Sequence, residues 1–186
     1  MVRKIKNAVK SLIKRYQLKK YARQNIFIHP SVYLAKTAII DTRLGGKITI
    51  DEGSEILDGV LILSYGGTIS IGKRCSVNPY SILYGHGGLT IGDDVMIAGA
   101  TMIIPNNHKF NDLHIPINQQ GSIFKGITIE NNVWIAHGCS ILDGVTLESG
   151  SVIAAGSVVN KTVLANTIVG GVPAKFIKNR SFSITD

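Results

Sequence analysis

From about Ile28 an aliphatic residue returns every sixth position, and four residues after it comes a small or β-branched one. The rows run Ile50 to Ser54, Ile56 to Val60, Ile71 to Cys75, Val77 to Ser81, Ile91 to Val95 and Ile97 to Thr101. They resume as Ile129 to Val133, Ile135 to Cys139, Ile141 to Val145, Leu147 to Ser151, Ile153 to Ser157 and Val159 to Val163, ending near Leu164. Such repetition predicts an all-β solenoid of short parallel strands. Three hexads make one triangular coil of eighteen residues, so Ile129 stacks with Leu147, Ile135 with Ile153 and Ile141 with Val159. Coils then rise by the interstrand spacing, roughly 4.8 Å. Each inward aliphatic contributes about 1.5–3 kcal/mol gross. The small fifth position fits a crowded corner, which reads Cys75 and Cys139 as core residues.

The breaks in the rhythm say where loops emerge. Ile62 to Ile71 is nine residues instead of six, with Tyr65-Gly66-Gly67 as the bulge, and Leu83 to Ile91 is eight, carrying Gly85-His86-Gly87-Gly88. Ile103 to Ile129 is twenty-six, one hexad plus twenty inserted residues. All three precede the Ile that opens a coil, so they should leave the prism along one edge, with His86 and His108 near one another on adjacent coils. The segment 109–128 shows no element of its own, and a long loop of that kind inside a compact domain is usually functional or disordered. His108 stands at its lip.

Residues 1–25 break the pattern differently. Val2, Ile5, Val9, Leu12, Ile13 and Tyr16 recur at steps of three and four, with basic residues on the other face, which predicts an amphipathic helix. This segment holds nine of the twenty Lys/Arg and no acid, while the rest carries eleven against twelve Asp/Glu. The pI of 9.6 therefore belongs to the tail. Such a helix either caps the end of the solenoid or lies on an anionic membrane surface. A nucleic-acid partner would want basic residues and exposed aromatics across the fold, and these are missing. No apolar run is long enough for a spanning helix, no signal peptide is recognisable, and two cysteines give no disulfide framework and no metal-ligand spacing. A cytoplasmic setting is the default. The domain reading is a basic helix at 1–25, a repeat domain at 26–165 with the inserted loop 109–128, and a C-terminal extension at 166–186, whose Phe176 to Arg180 reads as a short basic helix.

Ile129-Glu-Asn-Asn-Val-Trp-Ile-Ala136, Ile141-Leu-Asp-Gly-Val145, Val152-Ile-Ala-Ala-Gly-Ser-Val-Val159 and Gly171-Val-Pro-Ala-Lys175 resemble the hexapeptide-repeat acyltransferases. The likeness covers roughly residues 45–180 and is greatest to sugar O-acetyltransferases of the maltose, galactoside and surface-polysaccharide type. The resemblance implies a left-handed parallel β-helix working as a homotrimer and using acetyl-CoA as co-substrate, with no metal. It implies His108, in the Asn107-His108 pair, as the general base toward a sugar hydroxyl; a neutral imidazole suits that task. Asn78 matches an acceptor-binding asparagine. His86 departs from the acidic residues of the galactoside type and either contacts the acceptor or orients His108. Ala136, Ala155 and Asn160 would line the pantetheine arm, and Lys161 and Lys178 would meet the phosphates. Trp134 reads as packing at a coil corner, His29 as structural, His114 as a loop residue, and His137 as a doubtful cofactor contact.

The expectation is thus an O-acetyltransferase acting on a surface polysaccharide or its lipid-linked precursor, held peripherally at the inner membrane face if residues 1–25 bind lipid. N-acylation of an amino-sugar nucleotide and serine O-acetylation remain as alternatives. A non-catalytic scaffold and a gamma-type carbonic anhydrase stand further off, the latter because the six-residue step from His108 to His114 does not fit its histidine spacing.

Overall fold

The computed structural model describes residues 21–181, so the predicted helix at 1–25 lies almost wholly outside the described residues. Residues 21–23 are helical, and Tyr21 packs against the core where the first coil begins.

The hexad rhythm becomes a three-faced prism of parallel strands. The first face stacks Ile26–Ile28, Lys47–Ile50, Thr68–Ile71, Leu89–Ile91, Ile127–Ile129 and Thr146–Leu147. The second stacks Tyr33–Leu34, Glu55–Ile56, Ser76–Val77, Met96–Ile97, Trp134–Ile135, Val152–Ile153 and Thr167–Gly170. The third stacks Ile39–Asp41, Leu61–Leu63, Ile82–Tyr84, Met102–Ile104, Ser140–Leu142 and Val158–Val159. Ile129 pairs with Leu147, Ile135 with Ile153 and Ile141 with Val159, the register that the period predicts. The first coil begins where the rhythm does: Ile28, Leu34 and Ile40 sit under Ile50, Ile56 and Ile62.

The core is a column of aliphatics, with two from each of four first-face strands (Ile48 and Ile50, Ile69 and Ile71, Leu89 and Ile91, Ile127 and Ile129), and with Cys75 and Cys139 buried at corners as free thiols. Small polar residues share those corners, and most return the hydroxyl to a backbone carbonyl, whereas Ser151 Oγ is buried without a partner among the described residues. Ser54 Oγ donates to Gly72 O at 2.7 Å and Ser81 Oγ to Ala98 O at 3.1 Å. Hydroxyls buried in this way are satisfied without water.

All three excursions leave along the edge between the third and first faces, as the spacing predicts, and a fourth, at 42–46, joins them. Their backbones stack closely. A Cβ at Gly67 would collide with the carbonyl oxygen of Gly85, and one at Gly87 would lie 2.7 Å from Pro105 O.

Three expectations are corrected. The ladder does not stop near Leu164 but continues through Thr167–Gly170, where Ile168 and Val169 pair with Val152 and Ile153. Phe176 to Arg180 is not helical: Lys175–Asn179 is a strand antiparallel to Thr167–Gly170. The last strand of a face exposes unpaired N–H and C=O groups, and the returning chain satisfies them. Trp134 does not pack at a corner. It lies in a two-residue strand whose inward position belongs to Ile135, so the indole faces out beside Met96 and is 46% exposed.

Candidate active site

The inserted segment leaves the third face after Ile104 and rejoins the first at Ile127, so the excursion spans 105–126 instead of 109–128. It has structure of its own. Asn107–His108 and Ser122–Ile123 form a two-stranded antiparallel ladder, His108 opposite Ser122, and Lys109 N–H donates to Gly121 O at 3.1 Å. Beyond the ladder the arm closes on Gln120, whose side-chain amide donates to Asp112 O and Ile115 O, both at 2.7 Å. A short 3-10 turn, Ile117–Gln119, precedes it. At the arm's base the Asp143 carboxylate accepts from the N–H groups of Lys125 and Gly126 at 3.0 Å. The sequence reading gave Asp143 no role, although it stands in one of the quoted motifs.

His108 is exposed, and among the described residues its imidazole has no hydrogen-bond partner. Its own N–H donates to Asn107 Oδ1 at 2.9 Å, which turns the Asn107 side chain back on the backbone.

His86 is held very differently. Its ring stacks with Tyr65 (centroids 4.6 Å apart, planes 21°) and with Phe124 (6.0 Å, 11°), and meets Tyr84 edge-on at 5.5 Å. Tyr65 and Tyr84 also meet edge-on at 5.0 Å. His86 Nδ1 is buried without a partner, and desolvation pushes the pKa of the ring below the ordinary histidine value. The neutral imidazole is therefore the favoured form. His86 and His108 share an edge, but no hydrogen bond or ring contact joins them among the described residues. Phe124 links them, since it follows the strand that pairs with Asn107 and His108.

The other site candidates divide between two edges. His86, His108, Asn160 and Lys161 lie along the third-to-first edge. Asn78, Ala136 and Ala155 lie along the second-to-third corner, with the exposed His137. Lys178 lies on the terminal strand of the second face. Asn78 Nδ2 donates to Ile97 O at 2.9 Å, leaving Oδ1 without a partner among the described residues. Ala136 has both backbone groups committed, N–H to Ile153 O and C=O to Thr101 Oγ1. It therefore offers a ligand only contact surface. A hollow of about 350 Å³ beside the arm's base is lined by Gly87, Gly88, Thr90, Lys125, Thr128 and Thr146. A larger one of about 430 Å³ lies over the first coils, around Ile26, Thr49 and Gly72, and holds none of the candidates.

A family model for the bacterial transferase hexapeptide (six repeats) matches residues 126–161. The galactoside O-acetyltransferase of Escherichia coli (strain K12) is 32% identical over 151 residues, which is 81% of this chain and 71% of that protein. The chain belongs to the hexapeptide-repeat acyltransferases. Among solved structures, the polySia specific acetyltransferase NeuO superposes with a TM-score of 0.70 at 29% identity, over 87% of this chain and 74% of its own. The galactoside acetyltransferase in complex with coenzyme A superposes with a TM-score of 0.64 at 33% identity, over 71% and 64%.

In this acyltransferase, two features of the site escaped the sequence. One is the aromatic surround of His86, because Tyr65 and Phe124 come from two other excursions and Tyr84 from the end of a strand, with no periodic relation. The other is the hairpin under His108, whose strands of two residues leave no alternation to read.

Proposed function

We propose that the chain is an acetyl-CoA-dependent O-acetyltransferase acting on a sugar hydroxyl of a surface polysaccharide or its precursor, as a homotrimer with His108 as general base. The observation that carries this reading is the position of His108: an unpartnered imidazole on a pinned hairpin, at the edge where the excursions gather. An alcohol is a weak nucleophile, and His108 would take its proton as the oxygen attacks the thioester carbonyl. It would then pass that proton to the departing thiol. The name of the galactoside relative and the polysialic acid specificity of NeuO support a carbohydrate acceptor.

The trimer is supported by an asymmetry between faces. Outward positions on the first face are Phe27 on the first coil, then Thr49, Ser70, Thr90, Thr128 and Thr146. Those on the third are Ile39, Leu61, Ile82, Met102, Ser140 and Val158, with Asp41, Leu63, Tyr84, Ile104 and Leu142 in a second column. A largely apolar face of this kind fits an interface. Three copies packed around an axis in front of it bring the second-to-third corner of one copy against the third-to-first edge of the next. Asn78, Ala136 and Ala155 would thus meet the neighbour's His86, His108, Asn160 and Lys161, which accounts for a site divided between two edges.

The residues present fit acetyl-CoA. Ala155 N–H has no partner among the described residues, and a Cβ at Gly138 or Gly156 would find nothing within 4 Å, so that corner is an open track for a narrow pantetheine arm. Lys161 and Lys178 are exposed and free to meet phosphates. Among the described residues no helix is long and apolar enough to cross a membrane; the basic residues 1–25 would hold the enzyme peripherally at an anionic inner membrane face.

Thiol release from acetyl-CoA against a panel of mono- and oligosaccharides tests the reading. His108→Ala is expected to lower acceptor-dependent turnover by roughly 10²–10⁴. Near-normal turnover in that variant ends the assignment.

A further inference from the structure

At the second-to-third corner, five successive coils carry a residue at positive φ: Gly59 (68°), Tyr80 (61°), Ala100 (56°), Gly138 (69°) and Gly156 (70°). They form one column, because the N–H groups of Tyr80, Ala100, Gly138 and Gly156 donate to Asp58, Pro79, Gly99 and His137 of the coil before. Left-handed backbone suits glycine, since a Cβ there crowds the next carbonyl, and a bulky side chain in that region is an outlier. Tyr80 is the large residue of the column. Core packing does not explain it, for Tyr80 is 72% exposed.

The ring lies across Gly59. A Cβ at that position would stand 2.6 Å from Tyr80 Cδ1 and 2.7 Å from Cε1, so the aromatic plate rests on bare backbone. Among the described residues no other ring or cation stacks on it. Two residues earlier in the same turn, Asn78 is pinned through Nδ2 to Ile97 O, which leaves its Oδ1 as a fixed acceptor. An aromatic plate beside an oriented amide oxygen matches the two faces of a pyranose. The C–H face lies on the ring, and a hydroxyl donates to the amide.

We propose that Tyr80, with Asn78, forms a subsite that takes one pyranose ring of the acceptor by stacking. This rests on the sugar-acceptor reading above, in which this corner faces the His108 edge of the next copy. The plate selects for a ring with an uninterrupted C–H face and leaves the identity of the acylated hydroxyl to the His108 side.

The test combines kinetics with a binding measurement that needs no turnover. Tyr80→Gly removes the plate while suiting the backbone, so melting temperature and trimer mass by light scattering should not fall. The KM for the acceptor is expected to rise roughly tenfold or more, with KM for acetyl-CoA unmoved, and Tyr80→Phe should behave as wild type. Saturation-transfer NMR with methyl β-D-galactopyranoside, methyl α-D-glucopyranoside and N-acetylneuraminic acid should show transfer from wild type, reduced in Tyr80→Gly. An unchanged acceptor KM in Tyr80→Gly, a loss of trimer mass, or no transfer from wild type to any of the three sugars overturns the subsite. Failure of the functional reading looks different: wild-type acetyl-CoA turnover would be unaffected by any hydroxyl acceptor, whatever the NMR result.

Discussion

The imidazole of His86 and the ring of Phe124 stack at 6.0 Å with their planes 11° apart, and this contact ties the inserted arm to the coil beneath it. Phe124 directly follows the strand Ser122–Ile123, whose partner strand carries His108. An aromatic-clasped histidine on one excursion is thus linked, through Phe124 and the two-stranded ladder, to an exposed histidine on another. The two share an edge without touching.

Cutting the clasp should disturb chemistry more than folding. Phe124 is 55% exposed and lies outside the aliphatic core, so Phe124→Ala is expected to leave the thermal melt nearly unchanged. Acceptor-dependent turnover should drop by roughly 10–100-fold, the cost of a displaced catalytic group. A turnover equal to wild type would show that the arm finds its place without His86.

His86 also predicts a pH dependence. Burial lowers its pKa in the folded protein below the unfolded value of about 6.5, so the unfolded chain binds more protons between the two values. The stability due to the neutral ring is present above about pH 6.5 and declines as pH falls from there through the folded pKa. Denaturant midpoints measured from pH 8 to pH 5 should fall less steeply for His86→Phe, which keeps the stack and cannot titrate. Parallel curves for the two proteins would remove His86 as the source.

The outward apolar column of the third face gives a separate prediction. Ile82 lies between Leu61 and Met102 in that column and points away from the core. Ile82→Lys should leave the coil intact, because the side chain is not part of the internal stack. In a trimer it would bury three like charges near the axis, a cost of several kcal/mol per ion even after relaxation. Light scattering is expected to report monomer, with acetyl transfer lost and circular dichroism retained. A stable trimer in this variant would move the interface to another face.

What the sequence determined by itself was the coil. A six-residue period fixes which side chain points inward at each turn, and counting it aligned Ile129 with Leu147 and Ile141 with Val159 as the ladder has them. Counting also placed the excursions on one edge, since each interrupts the same step of the triangle. Only the tertiary structure decided the rest, because those contacts join residues with no periodic relation. Tyr65, His86 and Phe124 come from three separate loops and Tyr84 from the end of a strand, and nothing local to any of them encodes the cluster. The strand Lys175–Asn179 forms because an open ladder edge needs partners, a demand made by distant backbone and not by Phe176 or Ile177 themselves. The division of the site candidates between two edges followed from the same physics. Hexad position places Asn78 and His108 on their edges, and only the closed prism shows that one chain keeps them apart.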